Sequence, residues 1–271
     1  MSDNTIRSCF VENGADGILV RGTKTHSNTF DGIDMYLTQI AVKARRGPNN
    51  NLFRGITARG ISNAVSVISH TTTDGVNIYE NEFLNCGFHF QAASQIIVSQ
   101  SPEVGVGKDV GFNDNLFCNC TFVAHPGGTA AVAKLHDPAA TTSNLQFVNC
   151  IVNNFGVFDL SSHFAADFIN CNLWNTPFWD DPSPPVGATF LRCNDQDSGL
   201  TGVPGTWATV DFHIDPTQAP GALDRGTHEF QLQPYVDISL ILDIDIESSA
   251  YDPVNTGIYI RFDIGCDEFY P

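Results

Sequence analysis

At 271 residues, with 16% charged side chains and a formal net charge of −17, the chain lacks the clustered lysine and arginine that a nucleic-acid partner demands. The excess is uneven: residues 1 to 134 carry 10 basic and 11 acidic side chains, residues 135 to 271 carry 3 and 19. With 23 Gly and 20 Phe, the composition fits stacked strands rather than helical bundles, and no apolar run is long enough to span a membrane.

The first element starts at once. MSDNTIRSCFVENGADGILV has no basic stretch followed by an apolar core, so no secretory signal is read, and Ile6 already opens a repeat. That start points either to a piece of a longer chain or to a first coil covered by a partner. After Ile6 come Phe30, Phe53, Phe83, Phe117, Phe147, Phe168 and Phe190, in stretches such as NEFLNCGFHF (81–90), LQFVNCIV (145–152) and DFINCNLW (167–174). The spacings are 24, 23, 30, 34, 30, 21 and 22 residues, a period near 22 with insertions, which is how stacked coils appear in a sequence.

Three residues after each anchor stands Cys9, Ile33, Ile56, Cys86, Cys120, Cys150, Cys171 or Cys193. Immediately before it stands Ser8, Gly32, Gly55, Asn85, Asn119, Asn149, Asn170 or Arg192. Gly and Asn enter the left-handed αL region at least cost, so the pattern predicts a sharp corner with both flanking side chains pointing inward. Apolar recurrence at 3.6 residues is missing, which argues against helices.

Each coil is expected to hold three strands. One follows the Cys column. A second appears as GILV (17–20), IAVK (40–43), VSVIS (65–69), QIIVS (95–99), AVAKL (131–135) and VFDL (157–160), and the third runs into the next phenylalanine. Loops of variable length (ARRGPNNN, QSPEVGVGKDVG, HDPAATTS and DDPSPPVG) fall between the second and third, on the edge where a rigid solenoid usually carries its function. Six cysteines share the inward column and are read as free, core-filling thiols; Cys118 points outward and Cys266 lies in the tail.

The apolar, x, Asn, apolar corner resembles the right-handed parallel β-helix repeats of the pectin-lyase-like superfamily, over residues 1 to 198. FDIGCDEF (262–269) resembles the DIGxDEF terminus common among bacterial and phage-associated β-helix proteins, with an imperfect echo in LDRGTHEF (223–230). The resemblance implies an all-β right-handed parallel β-helix of about eight or more coils. It leaves function open, because β-helices host enzymes, adhesins and virion spikes alike. Calcium-assisted lyases of the superfamily imply converging acids beside a Lys or Arg base. Here the outward basics Lys43, Arg45 and Arg46 come early and the acids late, and LHDP (135–138) only superficially resembles the DPHD of alginate epimerases.

From Gly199 the coil pattern fades. VDISLILDIDIE (236–247) and IYIRFDI (258–264) alternate apolar and polar residues, which predicts an antiparallel pair whose apolar face caps the open end of the helix over residues 199–271.

Candidate chemistry gathers at the loop edge. His136 and Asp137 open one loop, His163 lies at the matching edge one coil later, and aligning Leu135 with Leu160 places Lys134 over Asp159. These five are the candidate acid–base group, with an ion pair between neighbouring strands as the plainer alternative. Glycosidases need two carboxylates roughly 5 to 9.5 Å apart. Asp180 with Asp181, or Asp195 with Asp197, offer such pairs, and solvated turn formers are the alternative. Trp174 and Trp179, expected on consecutive strands of a late coil, join Arg45, Arg46, Asp180 and Asp181 as candidate sugar-binding residues, against burial of the indoles in loop packing. Asp243, Asp245 and Glu247 share one strand face and are candidate Ca²⁺ ligands, or partners of Arg261. The expected role is a carbohydrate-contacting surface or virion component of tailspike or fibre type. Its partner would be a polysaccharide or cell-surface glycan, and it would assemble as a trimer or into a larger particle on a virion or cell surface. A polysaccharide lyase or glycoside hydrolase is the enzymatic alternative, and a decoration protein the structural one.

Overall fold

The computed structural model describes residues 2–22, 25–45, 47–68, 76–100, 110–126, 129–135, 141–159, 164–177, 187–198 and 200. The tail from 201 onward, with the cap expected there, lies outside the described residues. Within them the chain is all-β: nineteen strands and no helix. Sixteen strands join one sheet and three form a second. Its longest path runs through eleven strands and curls through 363°, so the sheet wraps fully around as a parallel β-helix.

The rungs stack in the register that the repeat predicts. Ile6 lies opposite Phe30 and Phe30 opposite Phe53, and the column continues through Phe83, Phe117, Phe147 and Phe168 to Phe190. From Phe30 onward the rings stack with centroids 4.5 to 5.3 Å apart and planes within 20°. Such contacts contribute about 0.5–1.5 kcal/mol each beyond area burial. Phe122, on the strand just past the corner (Thr121–Ala124), lies edge-on to Phe117 at 5.6 Å and Phe147 at 5.8 Å.

All eight predicted corner residues have positive φ, between 52° and 60°. Two further corner columns were not anticipated. Asp3, Ser27, Asn50, Glu80, Asp114 and Asn144, three residues before the anchors, hold φ of 49° to 57°. Asn13, Leu37, Gly60, Asn154 and Asn175, four residues after the Cys column, hold 51° to 71°. The first of these columns changes the strand count. It cuts the segment leading into the anchor in two, so the strands Val76–Tyr79, Val110–Asn113 and Thr141–Ser143 form their own parallel sheet, a fourth strand in the middle rungs.

A buried asparagine column, two residues before the anchors, ties rung to rung. The amide Nδ2 of Asn4 donates to Asn28 Oδ1 (3.0 Å), Asn28 to Asn51 (2.9 Å), Asn51 to Asn81 (2.9 Å) and Asn81 to Asn115 (3.0 Å). Asn28, Asn51, Asn81 and Asn115 are at most 3% exposed, so each buried amide finds its partner in the neighbouring rung. The column ends at Leu145, an apolar residue in the same place.

The seven described cysteines are free, as the column position implied for six of them. The thiols of Cys86, Cys120, Cys150, Cys171 and Cys193 donate to the anchor carbonyls one rung earlier, at 3.2 to 3.6 Å. Burial pushes the Cys120 and Cys171 thiols well above the ordinary range. Cys118 does point away from this core, but it is fully buried in a second apolar cluster with Leu84, Leu116 and Val148.

Candidate functional site

Strand periodicity decides which side chains leave the core. Met35, Ala58, Phe88, Phe122, Val152 and Leu173 point inward, so the residue after each points out. Cross-strand register stacks these outward residues as Glu12, Tyr36, Arg59, His89, Val123 and Asn153. Extending the offset of the Ile151–Asn172 bridge brings Trp174 next, where its carbonyl accepts from the Asn154 N–H at 3.2 Å. The result is one column on one wall, with about 4.8 Å between steps.

The column varies in exposure. Glu12 is exposed, Tyr36, Arg59 and Trp174 are half-buried, and the middle members His89, Val123 and Asn153 are buried. Beside it, the Thr57 hydroxyl donates to the exposed carboxylate of Asp34. His125 is exposed, with its Nδ1–H donating to the Pro126 carbonyl at 2.8 Å. His89 is 1% exposed and neither ring nitrogen has a partner among the described residues. Its pKa is lowered to about 4, first by burial and then by the nearby His125 and Arg59, so the ring is neutral at pH 7.

Two charged ladders flank the early rungs. Asp31 sits between Arg7 at 3.3 Å and Arg54, which grips it bidentately at 3.0 and 2.7 Å. The Arg54 hydrogen bonds hold the Asp31 carboxyl below its usual range, against the opposing effect of burial. Lys43 is already engaged, its ammonium 2.8 Å from Asp16.

The residues singled out from the sequence are distributed differently from expectation. Lys134 lies on Ala131–Leu135 and Asp159 ends Val157–Asp159, but Asp159 faces Ala133 rather than Lys134. The expected register is one residue out. Aligning the two leucines followed strand ends, whereas the backbone ladder pairs Ala131 with Val157. Asp159 instead accepts the Phe164 N–H at 2.9 Å. Trp174 lies in a turn, not on a strand. Arg45 ends Ile40–Arg45 opposite Arg21, half-buried, its Nε enclosed without a partner among the described residues. His136, Asp137, His163, Arg46, Trp179, Asp180, Asp181, Asp243, Asp245 and Glu247 lie outside the described residues. Among the described residues no group of three or more His, Cys, Asp or Glu side chains is placed to hold a metal ion.

Tyr36, Arg59 and His89 were missed, although a signal was present. Each stands three residues after its Cys-column residue (Ile33, Ile56, Cys86), as Trp174 does after Cys171. Continuing the alignment three residues past the corner would have drawn all four into one column. Among the described residues, no helix is long and apolar enough to cross a membrane. Comparison of the chain with protein-family models, with curated proteins and with solved structures finds no match.

Proposed function

We propose that this chain is a carbohydrate-contacting β-helix of the pectin-lyase-like type, a tailspike- or fibre-like surface or virion component that assembles as a trimer or within a larger particle. The observation that supports it is the outward column carrying Tyr36, Arg59 and Trp174. A pyranose unit is comparable in length to one strand spacing, so Tyr36 and Arg59, on successive rungs, can address successive sugars of one glycan, with Trp174 four rungs further along. The faces of Tyr36 and Trp174 suit the C–H faces of sugar rings, while Arg59 and Asp34 suit hydroxyls and carboxylates. Binding should be measured on a panel of acidic and neutral glycans for the parent protein, Arg59→Ala and Trp174→Ala. Each substitution is expected to weaken binding about tenfold, or ~1.4 kcal/mol. If the parent retains no glycan, the reading fails.

His89 favours a second reading, a polysaccharide lyase or glycoside hydrolase. A neutral imidazole in register with Arg59, 1% exposed here, would serve as proton acceptor beside a cation that could hold an acidic sugar only if substrate entry uncovers it. Turnover would appear as new reducing ends or as the ultraviolet absorbance of an unsaturated uronide. Loss of that turnover in His89→Gln, with glycan binding retained, would select this reading over simple recognition.

A further inference from the structure

The first rung differs from the others at its open side. Ile6, in the inward anchor column, is 44% exposed, whereas Phe30, the anchor of the next rung, is 7% exposed. Among the described strands Thr5–Glu12 pairs only with Thr29–Tyr36, which leaves its other edge without a described partner. Such an edge is a template for another strand.

The ladders specify that strand. In the asparagine column, each side-chain oxygen accepts both the backbone N–H and the amide of the asparagine one rung earlier. This holds for Asn28, Asn51, Asn81 and Asn115. Asn4 gives its own N–H and amide to Asn28, but its Oδ1 accepts from no described residue. The thiols repeat the message. Cys86, Cys120, Cys150, Cys171 and Cys193 reach an anchor carbonyl one rung earlier, whereas among the described residues Cys9 reaches only Arg7 O in its own rung, at 3.4 Å. Outside the core, the Arg7 side chain touches Asp31 on one side and remains 65% exposed.

A rung already present shows what fits. NTIRSC (4–9) and NLFRGI (51–56) match in what they present: asparagine, an apolar anchor, arginine, an αL corner and an apolar residue. NLFRGI is covered by NTFDGI (28–33), which gives an amide to Asn51, stacks Phe30 on Phe53 and sets Asp31 against Arg54. We propose that the N-terminal end face is a docking surface for a parallel β-coil of a partner chain, whose edge rung sets an asparagine over Asn4, an apolar side chain over Ile6 and a carboxylate over Arg7. A second copy meeting the face across a two-fold axis would lay its strand antiparallel, and the reversed order of its first strand does not set an asparagine, an apolar residue and a carboxylate over Asn4, Ile6 and Arg7.

The test supplies the rung in the same chain, where tethering removes the concentration limit. Residues 28–50 are placed directly ahead of Asn4 in the full-length protein, reproducing the 23-residue step from Asn28 to Asn51. Hydrogen exchange across Thr5–Glu12 is expected to slow by about tenfold or more, and the thermal midpoint to rise. Asp31→Lys in the added rung alone should cancel part of both gains, because it sets like charges together over Arg7. The proposal is overturned if Thr5–Glu12 exchanges equally fast with and without the rung while the remaining rungs keep their protection. It is also overturned if sedimentation shows the unextended protein to be a dimer in which these amides are already protected.

Discussion

An L-residue in the αL region bears a steric cost of about 1–2 kcal/mol that asparagine tolerates better than alanine. Asn119, at a φ of 52°, is such a position. Asn119→Ala should lower stability by about 1–2 kcal/mol in urea titration, and Asn119→Gly by clearly less. Asn81 has a different duty. Its Oδ1 takes two bonds from Asn51 and its amide serves Asn115, so Asn81→Leu strands buried donors and an acceptor on both sides. A loss of about 2–4 kcal/mol is expected by the same titration. His89 makes stability depend on pH. Its folded pKa of about 4 lies below the ordinary 6.5, so between these values the unfolded chain binds the proton and the folded chain does not. The contribution is complete above pH 6.5 and is lost as pH falls towards 4, by at most about 3 kcal/mol. Urea midpoints measured across that window should flatten in His89→Gln.

At the level of the rung, the phenylalanine stack is the main apolar element. Phe117 is fully buried, with Phe83 and Phe147 stacked on either side and Phe122 edge-on. Phe117→Ala should cost about 3–5 kcal/mol. Phe190 is half-buried and stacks on Phe168, so Phe190→Ala should cost distinctly less in the same denaturation experiment. The stack and the eight corners were legible because Phe and Cys recur at fixed offsets whatever the loop length. The asparagine column was equally present in the letters at Asn28, Asn51, Asn81 and Asn115, but Leu145 interrupts it. Amide-to-amide bonding between rungs also becomes visible only once the register is set. The corners at Glu80 and Asp114 were hidden for a chemical reason. Glutamate does not mark αL, and aspartate marks it less strongly than Gly, so here backbone stacking sets the conformation. Lys134 and Asp159 show the opposite error, a pairing inferred from matching strand ends that the hydrogen-bonded ladder sets one step away.

Over the whole molecule, each rung meets only its neighbours, so stability is close to a sum of rung and interface contributions. Thiol chemistry reports on that stack. Among the described cysteines a thiol reagent should label exposed Cys9 first, and Cys86, Cys118, Cys120, Cys150 and Cys171 only on unfolding, as read by peptide mass mapping. One ladder also separates two quantities that are usually tied. Asn28 reaches Asn51 across 23 residues at 2.9 Å, and Asn81 reaches Asn115 across 34 residues at 3.0 Å. The pitch of the molecule is thus independent of its girth. Extra residues can be accommodated sideways without displacing anything along the axis, so a graft of new sequence between two corners should leave every floor at its original height.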